Sequence, residues 1–112
     1  MIFTNRINHR TFIIPKGRSI SDGYDMGGGQ QCGMLYTPSN FDGDRISFYV
    51  SYDDKNYYPG YAYGSGPMEL QVRPAEAYEI PAVWLYAARH IKLVCSATQS
   101  DERKIELALR PV

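Results

Sequence analysis

The stretch Arg45-Ile-Ser-Phe-Tyr-Val-Ser-Tyr52 decides the fold. Ile46, Phe48, Val50 and Tyr52 share one parity; Ser47, Tyr49 and Ser51 share the other. Side chains alternate across a strand, so this is a half-buried strand with a mildly polar outer face. The same alternation recurs at Met68–Arg73 (Met68, Leu70 and Val72 inward), His90–Ser96 (Ile91, Leu93 and Cys95) and Lys104–Arg110 (Ile105, Leu107 and Leu109). Thr11–Ile14 and Met34–Tyr36 are shorter candidates. Turn-rich tracts separate them: Thr37-Pro-Ser-Asn40, Asp42-Gly-Asp44, Asp53-Asp-Lys-Asn56 and a Gly- and Tyr-rich loop over 60–67. Phe41 is expected to plug the core, and Ala97 to Arg103 to form a polar loop. Strands at this spacing predict an all-β fold, a small jelly-roll-like β-sandwich. Pro81 and the alanines after it add one short helical turn near residues 82–88, with Trp84 or Leu85 capping one end of the core.

Residues 1–33 differ in character. A polar stretch follows Ile2 and Phe3, and Ser19 to Gln31 is dominated by Ser, Asp, Gly and Gln, with a triple glycine at 27–29. A loop of this length inside a compact domain is uncommon. The expectation is an extended N-terminal arm over 1–33 followed by the sandwich over 34–112. Phe3, Phe12, Ile13 and Ile14 on such an arm would leave apolar surface in water unless they met a partner.

The chain has 112 residues, enough for one domain, and a domain of this size buries roughly 60–70% of the surface its unfolded form exposes. Twelve basic and twelve acidic residues cancel, so the basic stripe of a nucleic-acid binder is missing. No segment is long and apolar enough for a membrane helix. The start Met1-Ile-Phe-Thr-Asn-Arg lacks the charged and apolar regions of a secretory signal, so synthesis and retention of reduced thiols in a cytoplasm are expected. Cys32 and Cys95 match no zinc or redox spacing, and Cys95 falls on the apolar face of its strand, as a small buried hydrophobe does.

Motifs that carry chemistry are missing. His9 and His90 have no carboxylate or cysteine at ligand spacing, so no metal is expected. No Gly-x-Ser-x-Gly elbow or phosphate loop occurs, so no catalytic residue and no cofactor is assigned. Asp42 and Asp44 lie at one end of the 45–52 strand and Asp53 and Asp54 at the other, about 25 Å apart by strand rise. They cannot form one four-carboxylate site, and turn capping explains them.

The tract Tyr57-Tyr-Pro-Gly-Tyr-Ala-Tyr63 stands out, with four tyrosines in seven residues. Tyr57, Tyr58, Tyr61 and Tyr63 suit the aromatic centre of a protein interface, a stacking platform for sugars, or burial against the sandwich edge. In the sugar reading, Trp84 joins the platform and Asp53 or Asp54 accepts hydroxyl bonds.

Residues 35–110 resemble small β-sandwich proteins encoded in virion gene clusters of tailed, in particular short-tailed, bacteriophages. Leu35-Tyr-Thr-Pro-Ser-Asn-Phe41, Ile46-Ser-Phe-Tyr-Val-Ser-Tyr-Asp53, Tyr78-Glu-Ile-Pro-Ala82, Ala88-Arg-His-Ile-Lys-Leu93 and Ile105-Glu-Leu-Ala-Leu-Arg110 carry the resemblance. It implies a non-enzymatic decoration or stapling subunit on the outer surface of a virion. Such a subunit bridges neighbouring major capsid proteins, pairs with a second copy, and takes no cofactor, nucleic acid or membrane. The interface would comprise Phe3, Phe12, Ile13, Ile14, Tyr57, Tyr58, Tyr61 and Tyr63. The shape is also similar to carbohydrate-binding domains, so the alternative is a sugar-binding module of a tail fibre, spike or secreted enzyme.

Overall fold

A computed structural model describes residues 8–27, 30–85 and 88–111. Among the described residues, eleven strands and one helical turn follow in order: β1 (Asn8–Ile14), β2 (Tyr24–Asp25), β3 (Gln30–Tyr36), β4 (Arg45–Ser51), β5 (Tyr58–Pro59), β6 (Tyr61–Ala62), β7 (Gly66–Pro67), β8 (Glu69–Gln71), β9 (Ala77–Ile80), α1 (Ala82–Leu85), β10 (His90–Cys95) and β11 (Arg103–Pro111). One sheet has the order β1-β11-β3-β9 and the other β2-β10-β4-β5, with β8 also on β4 and all pairs antiparallel. The two sheets form the expected β-sandwich.

Parity sets what faces the core. Ile46 and Phe48 of β4 lie opposite Cys95 and Leu93 of β10, and all four are buried. Ile105, Leu107 and Leu109 of β11 meet them from the other sheet with Leu35 and Ile80. Phe41 is buried beside its turn, as its place in the sequence suggests. Cys95 is also buried, and lack of water pushes its thiol up to about 12, a small hydrophobe in practice.

Two expectations need correction. First, most of the expected arm belongs to the sandwich. β1 is the edge strand of the four-stranded sheet, Asn8 to Ile14 running against Leu109 to Arg103, and the boundary placed after residue 33 falls inside β3. Phe12 and Ile14 are fully buried, so they fill this chain's own core and offer nothing to a neighbouring subunit. Ile13 points outward and is half-buried; Phe3 lies outside the described residues.

The segment after β1 is a strap between the two sheets. Asp22 pairs with Ile13 through its amide (3.2 Å to the Ile13 carbonyl) and its Oδ1 (2.9 Å from the Ile13 amide). Across the gap, the Ser21 amide donates to Leu93 O at 2.9 Å, Ser21 Oγ accepts from the Leu93 amide at 2.8 Å, and Ser19 O accepts from the Cys95 amide at 2.7 Å. Tyr24 packs on Phe12 with ring centres 5.3 Å apart. Leu93 lies 72 residues from Ser21 in sequence, so no local pattern announces the contacts to β10.

Second, residues 60–67 are not an open loop. β6 and β7 form a small hairpin, with Tyr61 opposite Pro67 and Ala62 opposite Gly66. It is extruded from a strand that runs along β4 and is interrupted into β5 and β8. Its base is pinched at Phe48: the Gly60 amide donates to Phe48 O (2.9 Å), the Phe48 amide to Met68 O (2.8 Å) and the Met68 amide to Gly60 O (2.8 Å). A Cβ at residue 60 would sit 2.6 Å from Met68 Sδ and 3.0 Å from Phe48 O, so a side chain there would displace Met68 and press on the Phe48 carbonyl. β9 leads directly into the helical turn. That turn forms at Ala82–Leu85, opened by the Trp84 amide donating to Pro81 O at 3.0 Å.

Candidate functional site

The inward stripe of β4 runs out of sheet at its C-terminal end. Val50 continues it, and Tyr52, one step beyond the strand, emerges at the mouth of the sandwich. α1 stands opposite, holding Trp84 edge-on against Phe48 with centroids 5.6 Å apart. Between them lies a cleft of about 300 Å³ lined by Val50, Ser51, Tyr52, Tyr58, Met68, Val83, Trp84, Ala88 and Arg89. Its floor is core-like, whereas Tyr52 (78% exposed) and Tyr58 (56%) stand on the rim. Solvent-facing aromatic rings around an apolar concavity are what an end-on ligand needs to displace water and stack.

The polar group on the rim is an ion pair. Arg89 binds Asp25 in a fork, Nε to Oδ1 at 2.8 Å and Nη2 to Oδ2 at 3.0 Å. The Asp25 carboxyl is held below its ordinary range, first by the Gly27 amide donating to Oδ1 at 2.8 Å and then by Arg89. The Met26 amide also donates to Arg89 O at 2.6 Å, so β2 fixes the arginine at both its backbone and its head. Of this pair Arg89 lines the cleft, and Asp25 behind it holds the guanidinium in place, a donor suited to hydroxyl groups.

The tyrosine tract is divided by the structure. Tyr58 reaches the cleft. Tyr57 is half-buried beside it and acts as a brace: its hydroxyl donates to Asp54 Oδ1, and Lys92 Nζ sits 4.5 Å above its ring centre. Burial, and then Asp54, push the phenol's ionisation upward. Tyr61 (69% exposed) and Tyr63 (wholly exposed) belong to the hairpin and do not line the cleft.

Neither Asp53 nor Asp54 lines the cleft either. Asp53 is saturated by its own turn: Oδ1 accepts from Ser51 Oγ (2.9 Å), the Lys55 amide (2.9 Å) and the Asn56 amide (3.0 Å), and Oδ2 from Asn56 Nδ2 (3.2 Å). Asp54 faces Tyr57 and, at 3.8 Å, His90 Nδ1. Turn capping, the sequence expectation for these carboxylates, describes Asp53; Asp54 instead bonds side chains. At the far end Asp42 ties two loops together, its Oδ2 accepting from the Ser100 amide and hydroxyl at 2.8 and 2.9 Å. Cys32's side chain lies outside the described residues.

The Asp53 turn carries a pH prediction. The Asn56 and Lys55 amides depress the Asp53 carboxyl from 3.8 to about 2. A carboxyl with a depressed folded value contributes stability that is complete above its unfolded value and lost as pH falls through the folded one. The turn should therefore stay closed to pH 3.8 and open as pH falls toward about 2. Amide shifts of Lys55 and Asn56 in an NMR titration should move in that window, and Asp53→Ala should abolish the step.

Of the residues singled out in the sequence for binding, the structure brings Tyr58 and Trp84 to this cleft; Tyr52 and Arg89 also line it and were not among them. Tyr52 had a signal: its parity continues the core stripe past the strand end. Arg89 had none, because its place depends on β2 pairing with β10.

No protein-family model matches the chain, and no curated protein does. Among solved structures, it is similar to CBM32-1 from a family 31 glycoside hydrolase from Clostridium perfringens, with a TM-score of 0.52 and 18% identity over 89% of this chain and 75% of that one. At that identity the likeness concerns the fold, a β-sandwich.

Proposed function

We propose that this chain is a non-catalytic binding module that holds a sugar ring in the end cleft. One observation carries the reading: Tyr52, Tyr58 and Trp84 line one apolar concavity together with Arg89, which Asp25 holds in place. An aromatic wall takes the apolar face of a pyranose, and the guanidinium takes its hydroxyls. The likeness of the sandwich to a carbohydrate-binding module supports it. The one serine of the lining, Ser51, has its Oγ engaged in the Asp53 turn.

The test is a glycan array probed with labelled protein. Selective binding to a subset of glycans, lost in Tyr52→Ala, is the expected result; an array with no signal overturns the reading.

A second reading, a decoration subunit on a bacteriophage capsid, has its own supporting observation. The cleft is apolar almost throughout, and beyond it Tyr61 and Tyr63 are displayed on the β6–β7 hairpin, a composition that suits a protein partner. Silence on the array together with co-sedimentation with assembled capsids, lost in the Tyr61→Ala/Tyr63→Ala double variant, would favour it.

A further inference from the structure

The outer face of the four-stranded sheet bears a second concavity, away from the cleft and on the other side of α1, of about 480 Å³. The small side chain of Ala108 on β11 leaves a dent in this face, walled by Met34 and by Tyr36, which is 43% exposed. Two opposite charges line the same hollow, Glu79 on β9 and Arg110 on β11. Both are exposed, and neither has an ion-pair partner among the described residues. The other carboxylate of this face, Glu106, is already engaged, accepting from Thr11 Oγ1 at 2.8 Å.

Register fixes how the charges are placed. Glu79, Met34 and Ala108 lie in one row across β9, β3 and β11, and Arg110 is one outward step further along β11. Strand spacing and rise put Glu79 and Arg110 roughly 12 Å apart, on opposite sides of the hollow. Lys104, exposed on the same face of β11, lies farther along the strand. Glu79 and Arg110 set an acid and a base on opposite sides of an apolar centre, which makes the hollow self-complementary. A two-fold axis in the plane of the contact, midway between them, lays each copy's Glu79 on the other's Arg110 and seals Met34, Tyr36 and Ala108 between the sheets.

We propose that this face is the contact between two copies of the chain. The face is small, roughly 15 by 20 Å from strand spacing and length, against about 800 Å² per partner in a standard stable complex. The pair therefore assembles with concentration rather than as an obligate dimer. The inference is independent of what the end cleft binds.

Sedimentation velocity on the full chain over a range of concentrations tests it, with charge-swapped variants. The native chain should shift from monomer toward dimer as concentration rises. Glu79→Arg and Arg110→Glu should each weaken association at least about tenfold by opposing like charges. The double variant should restore it, because the pairs are re-formed with signs reversed. Both residues are exposed, so unchanged circular dichroism and Tm are expected throughout. A native chain that stays monomeric at every concentration, single swaps that leave the dimer intact, or a double swap that fails to rescue it would each overturn the proposal.

Discussion

Replacing Gln99 with alanine should lower the stability of the sandwich by about 3 kcal/mol, with a fall in Tm of about 10–20 °C. Gln99 is wholly buried, although it stands in what the sequence presents as a polar loop. Its Nε2 donates to Asp42 O at 2.7 Å and Ala97 O at 3.2 Å, while its Oε1 accepts from the Asp42 amide at 3.0 Å. Its backbone takes part as well: the Gln99 amide donates to Arg18 O at 2.8 Å, and Gln99 O accepts from the Gly17 amide at 2.9 Å. One residue thus ties together the turn before β4, the strap after β1 and the loop before β11. Truncation leaves the Asp42 amide and carbonyl without their side-chain partner in a site closed to water and opens a cavity beside them. The neighbouring Arg103 depends on the same turn, since its Nη2 reaches Ser100 Oγ at 3.0 Å and Asp42 Oδ2 at 3.5 Å. Denaturant unfolding should show a lower midpoint with little change in slope. A loss below about 1 kcal/mol would mean that water replaces the amide, against the burial observed.

Trp84→Ala should have the largest effect on binding, at least about 2 kcal/mol, or about thirtyfold in affinity for whichever glycan the array selects. The indole is at once a wall of the cleft and the ring that packs edge-on against Phe48, so its removal widens the site and loosens the core beneath it. Some loss of stability should accompany the lost affinity. Tyr52→Ala separates the two effects: Tyr52 is mostly exposed, so Tm should barely move while affinity still falls. If Tyr52→Ala and Trp84→Ala both bind as the native chain does, the ligand is not in this cleft.

The long strands were legible because a period of two is a local property. Ile46–Val50, Ile91–Cys95 and Ile105–Leu109 carry it without interruption, and the structure places them as read. Features built by distant residues were not legible. β1 carries Phe12 and Ile14 two apart, the mark of a buried face, yet the glycine-rich segment after it suggested an arm. Whether such a segment hangs free or closes a sandwich depends on Leu93 and Cys95, some 70 residues on. β6 and β7 have two residues each, too few to show a period, and the pinch at Gly60 depends on the Phe48 carbonyl. The site divides the same way. Aromatic richness drew attention to residues 57–63, but composition could not tell Tyr57, a brace held by Asp54, from Tyr58, a rim residue. Nor could it show that Asp53 is consumed by its own turn.

The most direct test of the central claim is to titrate the isotopically labelled chain with the strongest array glycan and map the NMR shift changes. Saturable changes should concentrate at Tyr52, Tyr58, Trp84 and Arg89, with the sugar released unaltered. Changes centred elsewhere on the sandwich, or conversion of the sugar into a product, would contradict it.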